Sequence, residues 1–81
     1  MERTAIIERI RTIVTNVVGH GNFEMRDDLV AADVAGWDSL THMTIITQLE
    51  AGFGVRFKLR EVNKLKNMGS LVELVASKVA S

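Results

Sequence analysis

Asp38, Ser39 and His42 stand within five residues of one another, and all three side chains can do chemistry. A serine followed three residues later by a histidine puts both on one side of a helix, as a nucleophile and its base require. The pairing goes no further. A serine hydroxyl is too weakly acidic to attack at neutral pH unless a third group orients its base, and no carboxylate is placed to orient His42. The strand–turn–helix setting of a nucleophile elbow is also missing. What remains is chemistry done to the serine. A hydroxyl at the start of a helix, where unpaired backbone N–H groups point outward, suits a phosphate ester. The helix end contributes only about 0.3–1 kcal/mol to such a charge at an exposed site, too little to position a ligand, so covalent attachment fits better. Ser39 therefore reads as an attachment point. A plainer reading stands beside it, since Asp38 or Ser39 can equally serve as an ordinary helix cap.

The other polar clusters carry less. Asp27, Asp28 and Asp33 lack the spacing and terminal glutamate of an EF-hand loop, and no metal site is expected. Cysteine is absent, which excludes disulfides, thiolate zinc sites and cysteine nucleophiles. Ten basic and ten acidic residues cancel, yet they are segregated. Glu24, Asp27, Asp28, Asp33 and Asp38 face only Arg26 in their segment, whereas Arg56, Lys58, Arg60, Lys64 and Lys66 face only Glu61. Two surfaces of opposite sign follow, which bears on partners rather than on fold. The basic run has no aromatic platform beside it, so nucleic-acid binding is not expected.

The elements that must position Ser39 are helical. Ile6, Ile10, Ile13 or Val14, and Val17 recur at helical spacing and predict a first helix over about 3–18. Gly19-His20-Gly21-Asn22 ends it, and a long connection over 20–37 is anchored by Phe23, Leu29 and Val34. A second helix is expected over about 39–51, stopped by Gly52 and Gly54, with Leu40, Met43, Ile46, Leu49 and Phe53 on one face and Ile45 at its flank. A short third helix over 59–66 would turn Leu59, Val62 and Leu65 inward. The last begins between Asn67 and Ser70, with Asn67 as cap or Ser70-x-x-Glu73 as capping box. Gly54 to Leu59 alternates like a strand but has nothing to pair with, so Val55 and Phe57 are expected inward from an extended loop. Trp37 is expected to pack where the long connection meets the second helix. One all-α domain over 1–81 is expected, a bundle of three main helices and a short third one. No apolar run approaches the roughly 20 residues of a membrane span. Met1-Glu2-Arg3-Thr4 lacks the layout of a signal peptide, so the cytoplasm is the expected compartment.

Gly36-Trp37-Asp38-Ser39-Leu40, followed by a helix ending Leu49-Glu50-x-x-Phe53-Gly54, resembles the attachment site of the acyl carrier protein family. The likeness runs from about Asp28 to Val79, while the N-terminal helix agrees in period and length only. It implies a four-helix bundle in which Ser39, flanked by Asp38 and Leu40, opens helix two and bears 4′-phosphopantetheine. A phosphopantetheinyl transferase would attach the arm, and acyl-loading and acyl-transfer enzymes would use its thiol as a thioester. The carrier itself would catalyse nothing and act as a monomer. Asp38 caps the helix, or also helps the transferase bind a metal and substrate. Met43, Ile46 and Leu65 line a cavity for the acyl chain, or are simply core. Thr41, Thr44, Glu50, Arg56, Lys58 and Arg60 would meet partners. The sequence departs in charge from the carriers of bacterial fatty-acid synthesis that it resembles: Thr41, Thr44, Thr47 and Ala51 stand where acids are usual in them, leaving Glu50, and the helix-three region is basic. Charge complementarity governs association rate and partner choice. The departure therefore implies a specialised carrier that docks poorly with enzymes built for an acidic helix. A peptidyl or aminoacyl carrier and an unmodified helical adaptor are the alternatives.

Overall fold

The computed structural model describes residues 2–80, so Met1 of the N-terminal tetrapeptide read above lies outside them. Four α-helices follow in order: α1 Arg3–Val18, α2 Ser39–Phe53, α3 Leu59–Asn63 and α4 Met68–Val79, with a 3₁₀ turn at Ala31–Asp33 inside the long connection. The chain is all-α, and α1 packs against both α2 and α4. Ile6, Ile10 and Val14 of α1 meet Ile45, Ile46 and Leu49 of α2 and Leu71, Val72 and Val75 of α4 in one core. Among the described residues every buried side chain is apolar. Burying each such side chain contributes about 1.5–3 kcal/mol before the entropy of ordering is subtracted.

Helix ends fall where local chemistry stops the ladder. Gly19, at φ 86°, closes α1 by donating its N–H to Thr15 O at 2.9 Å. The second helix runs two residues beyond the expected end, because Gly54 and not Gly52 adopts the left-handed cap. Gly52 stays helical and lets Ile13 of α1 approach, its Cδ1 lying 3.2 Å from where a Cβ would stand. The third helix is shorter than expected and ends at Asn63. Beyond it the Ser70 hydroxyl accepts from the N–H groups of both Lys66 and Asn67, which turns the chain into α4. Asn67 is the cap of α4, its side chain accepting from Ser70 N at 2.9 Å. Ser70 is thus the reciprocal partner of that cap and not the start of a box with Glu73, which instead pairs with Arg3 at 2.6 Å.

The long connection is held at several points. Phe23, Leu29 and Val34 are buried as expected. His20 accepts from Asn22 N–H through Nδ1 and so donates from Nε2 to Ala35 O, at 2.6 Å, tying one end of the connection to the other. Met68 and Gly69 donate their N–H groups to Leu29 O and Asp27 O, so this loop satisfies part of the first turn of α4.

Two expectations about facing are corrected. In α2 the buried stripe is Ile45, Ile46 and Leu49, whereas Leu40 is 81% and Met43 52% exposed. This helix is apolar on nearly all sides, so its period alone does not choose a face; packing against α1 does. Leu59 is 71% exposed rather than inward, because Phe57, two residues earlier, takes the core position at that end. Val62 and Leu65 pack against the core as expected, and Val55 is half-buried in the extended stretch before α3.

Candidate functional site

Gly36 opens the approach to Ser39. Its φ of 87° suits glycine, and a Cβ there would stand 3.3 Å from Val18 O at the end of α1. Its carbonyl accepts from the Thr41 hydroxyl at 2.7 Å, and the same hydroxyl accepts from Asp38 N at 2.7 Å. Asp38 Oδ1 accepts from both Leu40 N and Thr41 N at 3.0 Å. Asp38 and Thr41 therefore form a reciprocal capping box, and Asp38 rather than Ser39 is the cap. The Thr41 N–H, with that of Leu40 and the Thr41 hydroxyl, holds the Asp38 carboxyl below its ordinary pKa.

Capping changes the electrostatics expected at Ser39. Of the four N–H groups a helix start leaves unpaired, those of Asp38, Leu40 and Thr41 are already taken. The helix end has its anion in Asp38 and is not an open phosphate nest. Ser39 is the first residue of α2, exposed, and among the described residues its hydroxyl makes no hydrogen bond. It lies on an open surface groove shared with Ala31, Trp37, Asp38, His42 and Met43.

His42 is spoken for. Trp37 Nε1 donates to His42 Nδ1 at 3.2 Å, with the two rings stacked at 6.2 Å, and no hydrogen bond joins Ser39 to His42 among the described residues. Trp37 is half-buried at the junction, as its position implies. The residue pair was not legible beforehand, because nothing in a five-residue spacing announces an indole–imidazole bond.

The other candidate residues separate into groups. Thr41 works inside the capping box, and Glu50 accepts from Phe57 N at 2.8 Å, pinning the turn after α2. Both were expected at a partner surface, and their polar atoms are engaged internally. Thr44, Arg56, Lys58 and Arg60 are exposed, and the five basic residues from Arg56 to Lys66 form no ion pair among the described residues. Met43, Ile46 and Leu65 do not line one cavity. Met43 lies outside, Ile46 is core, and Leu65 lines a cleft of about 70 Å³ with Leu29, Trp37, His42, Met68 and Leu71. No group of three or more metal-binding side chains occurs among the described residues.

Residues 8–75 match the family model described as the phosphopantetheine attachment site. A solution structure of a holo acyl carrier protein from Geobacter metallireducens superposes with a TM-score of 0.85 and 35% identity, over 91% of this chain and 85% of that one. The chain belongs to the acyl carrier protein family. Curated acyl carrier proteins from Thermosynechococcus vestitus and Guillardia theta are 27% and 24% identical, each over the full length of both chains. One from Thermotoga maritima is 22% identical over 95% of each chain. The family is one of carriers, and its prosthetic group is phosphopantetheine. An exposed, unheld serine hydroxyl beside an open groove fits a group attached by a covalent bond. No helix among the described residues is long and apolar enough to cross a membrane.

Proposed function

We propose that the chain acts as one carrier domain over 1–81, holding acyl intermediates on a 4′-phosphopantetheine arm esterified to Ser39. The observation that carries this reading is the Ser39 hydroxyl itself, exposed at the first position of α2 and free of hydrogen bonds among the described residues. When attached, the arm supplies the thiol to which an acyl cargo is bound. The chain's own residues fix the hydroxyl in space. Asp38 and Thr41 set the helix start, Gly36 brings the turn against Val18, and Trp37 with His42 braces the groove beside it.

The protein does no catalysis under this reading. Both histidines are engaged in hydrogen bonds, and neither bonds the serine. Its partners are the transferase that modifies Ser39 and the enzymes that load and unload the arm. It works as a monomer in the cytoplasm, in keeping with its lack of cysteine. The scarcity of charge on α2, where Glu50 is the one acid, and the basic α3 region support service to a dedicated pathway.

Intact mass after co-expression with a broad-specificity phosphopantetheinyl transferase tests the proposal. A gain equal to the arm, lost in Ser39→Ala, is expected; an unchanged mass favours the unmodified adaptor. Binding to a housekeeping ketoacyl synthase tests the dedicated role, and affinity equal to that of the housekeeping carrier would overturn it.

A further inference from the structure

Helix α3 and its cap residue Lys64 turn one side to the core and the other to solvent. Glu61, Val62 and Leu65 are half-buried, whereas Leu59, Arg60, Asn63 and Lys64, spaced to share a helix face, are all exposed. Arg56 and Lys58 are exposed just before them and Lys66 just after. This short segment thus holds five cations and one acid. The acid is withdrawn from the outer face, because the Glu61 carboxylate accepts from Lys58 N at 2.8 Å and pairs with Lys78 of α4 at 2.9 Å. Asp27 and Asp28, on the loop that holds the first turn of α4, pair with Arg3 and Arg26 instead. The cations of the segment therefore keep their charge for a partner outside the molecule. Among them Leu59 is 71% exposed, and of the four large apolar side chains exposed among the described residues it alone has a cation on either side.

We infer that this face binds the surface of an anionic phospholipid bilayer, with Leu59 entering the headgroup region and Lys58, Arg60 and Lys64 meeting lipid phosphates. Charge complementarity argues for this occupant, since clusters of lysine and arginine around a helix are what anionic membrane surfaces attract. A leucine between cations suits the interface, because its side chain can leave water while its neighbours stay among the headgroups. Lys58, Leu59 and Arg60 stand on the outside of the chain, where no cradle converges on one free phosphate. A stable protein interface buries about 800 Å² on each side around an apolar centre, which a single exposed leucine does not furnish. None of these residues borders the groove of Ser39, so the inference stands apart from the attachment reading. Under that reading, a carrier so held presents its cargo beside acceptors in the membrane. The contact is peripheral, reversible and sensitive to salt.

Flotation of the full chain with vesicles provides the test, comparing pure phosphatidylcholine with a phosphatidylcholine–phosphatidylglycerol mixture. Binding to the mixture is expected to be at least about tenfold tighter than to the neutral vesicles, and to be lost as added salt shortens the Debye length from about 10 Å to about 3 Å. Lys58→Gln and Arg60→Gln are each expected to weaken it about fivefold, the contribution of one cation near an anionic surface. Leu59→Ser is expected to weaken it by about as much, through the lost insertion of an apolar side chain. Arg26→Gln removes the same charge from another segment and should stay within about twofold of the parent, which separates this face from a net-charge effect. Circular dichroism confirms that each variant is folded. Equal binding to both vesicle types, or binding to the mixture that none of the three face variants weakens, overturns the inference. Absence of vesicle binding together with salt-sensitive binding to polyglutamate assigns the face to an acidic polypeptide and likewise overturns it. Neither result touches the attachment reading, because the intact-mass gain at Ser39 is measured without vesicles.

Discussion

Trp37 and His42 lie on either side of Ser39 in sequence and border the same open groove, the indole Nε1 donating to imidazole Nδ1 at 3.2 Å. An indole nitrogen can only donate, so Nδ1 accepts and the ring proton sits on Nε2. One hydrogen bond thereby joins the end of the long connection to the first turn of α2 and fixes a tautomer beside the groove that holds Ser39. It also withdraws from His42 the nitrogen that a catalytic base would need oriented.

Breaking that bond should be visible directly. Trp37 is the sole tryptophan of the chain, so its fluorescence reports one environment. His42→Leu leaves a half-buried indole N–H without its partner, and a loss of about 1 kcal/mol with a shifted emission maximum is expected. Emission spectra and thermal melts on parent and variant check it; identical spectra contradict the contact.

Core and surface leucines in α2 should behave oppositely. Leu49 is fully buried, and Leu49→Ala is expected to cost about 2–5 kcal/mol in urea unfolding. Leu40 is 81% exposed, and Leu40→Ala should stay within about 0.5 kcal/mol of the parent. Comparable losses at the two positions would mean that the helix faces the other way.

Gly36 carries a backbone angle that alanine adopts only at a cost. Gly36→Ala is expected to destabilise the fold by about 1–2 kcal/mol, because φ is 87° and the new methyl group would crowd Val18 O at 3.3 Å. Denaturant midpoints measure this, and an unchanged midpoint would show that the turn relaxes freely.

Acid should weaken the fold through two carboxylates. Asp38 is held low by the Thr41 N–H, and Glu61 by the Lys58 N–H and the Lys78 ammonium at 2.9 Å. A depressed carboxylate stabilises the folded state fully above its unfolded pKa, about 4, and that stability is lost as pH falls through the lower folded value. Thermal midpoints should therefore change little from neutrality to about pH 5 on account of these two groups and drop below about pH 4. The double variant Asp38→Asn, Glu61→Gln should flatten the acid limb, and an undiminished slope would show that other groups dominate.

The cap of α4 offers an independent check on its boundary. Asn67→Ala removes the acceptor for Ser70 N and should cost about 1 kcal/mol by urea unfolding. No loss would favour Ser70 as the cap instead.

The sequence by itself determined the helical class, the anchors Phe23, Leu29 and Val34, the core face of α1, and the serine at the start of α2. Each rests on a short-range cause: a 3.6-residue period, a glycine stop, a capping residue just before an apolar run. Tertiary structure decided what local rules leave degenerate. The sequence Leu40-Thr41-His42-Met43-Thr44-Ile45-Ile46 is apolar or weakly polar on several sides, so packing against α1 chose Ile45 and turned Leu40 and Met43 outward. It also decided that Asp38 takes the helix-start amides, that Glu50 pins Phe57, and that Trp37 engages His42. Those choices depend on which backbone groups meet in space, and residue spacing alone does not encode that meeting.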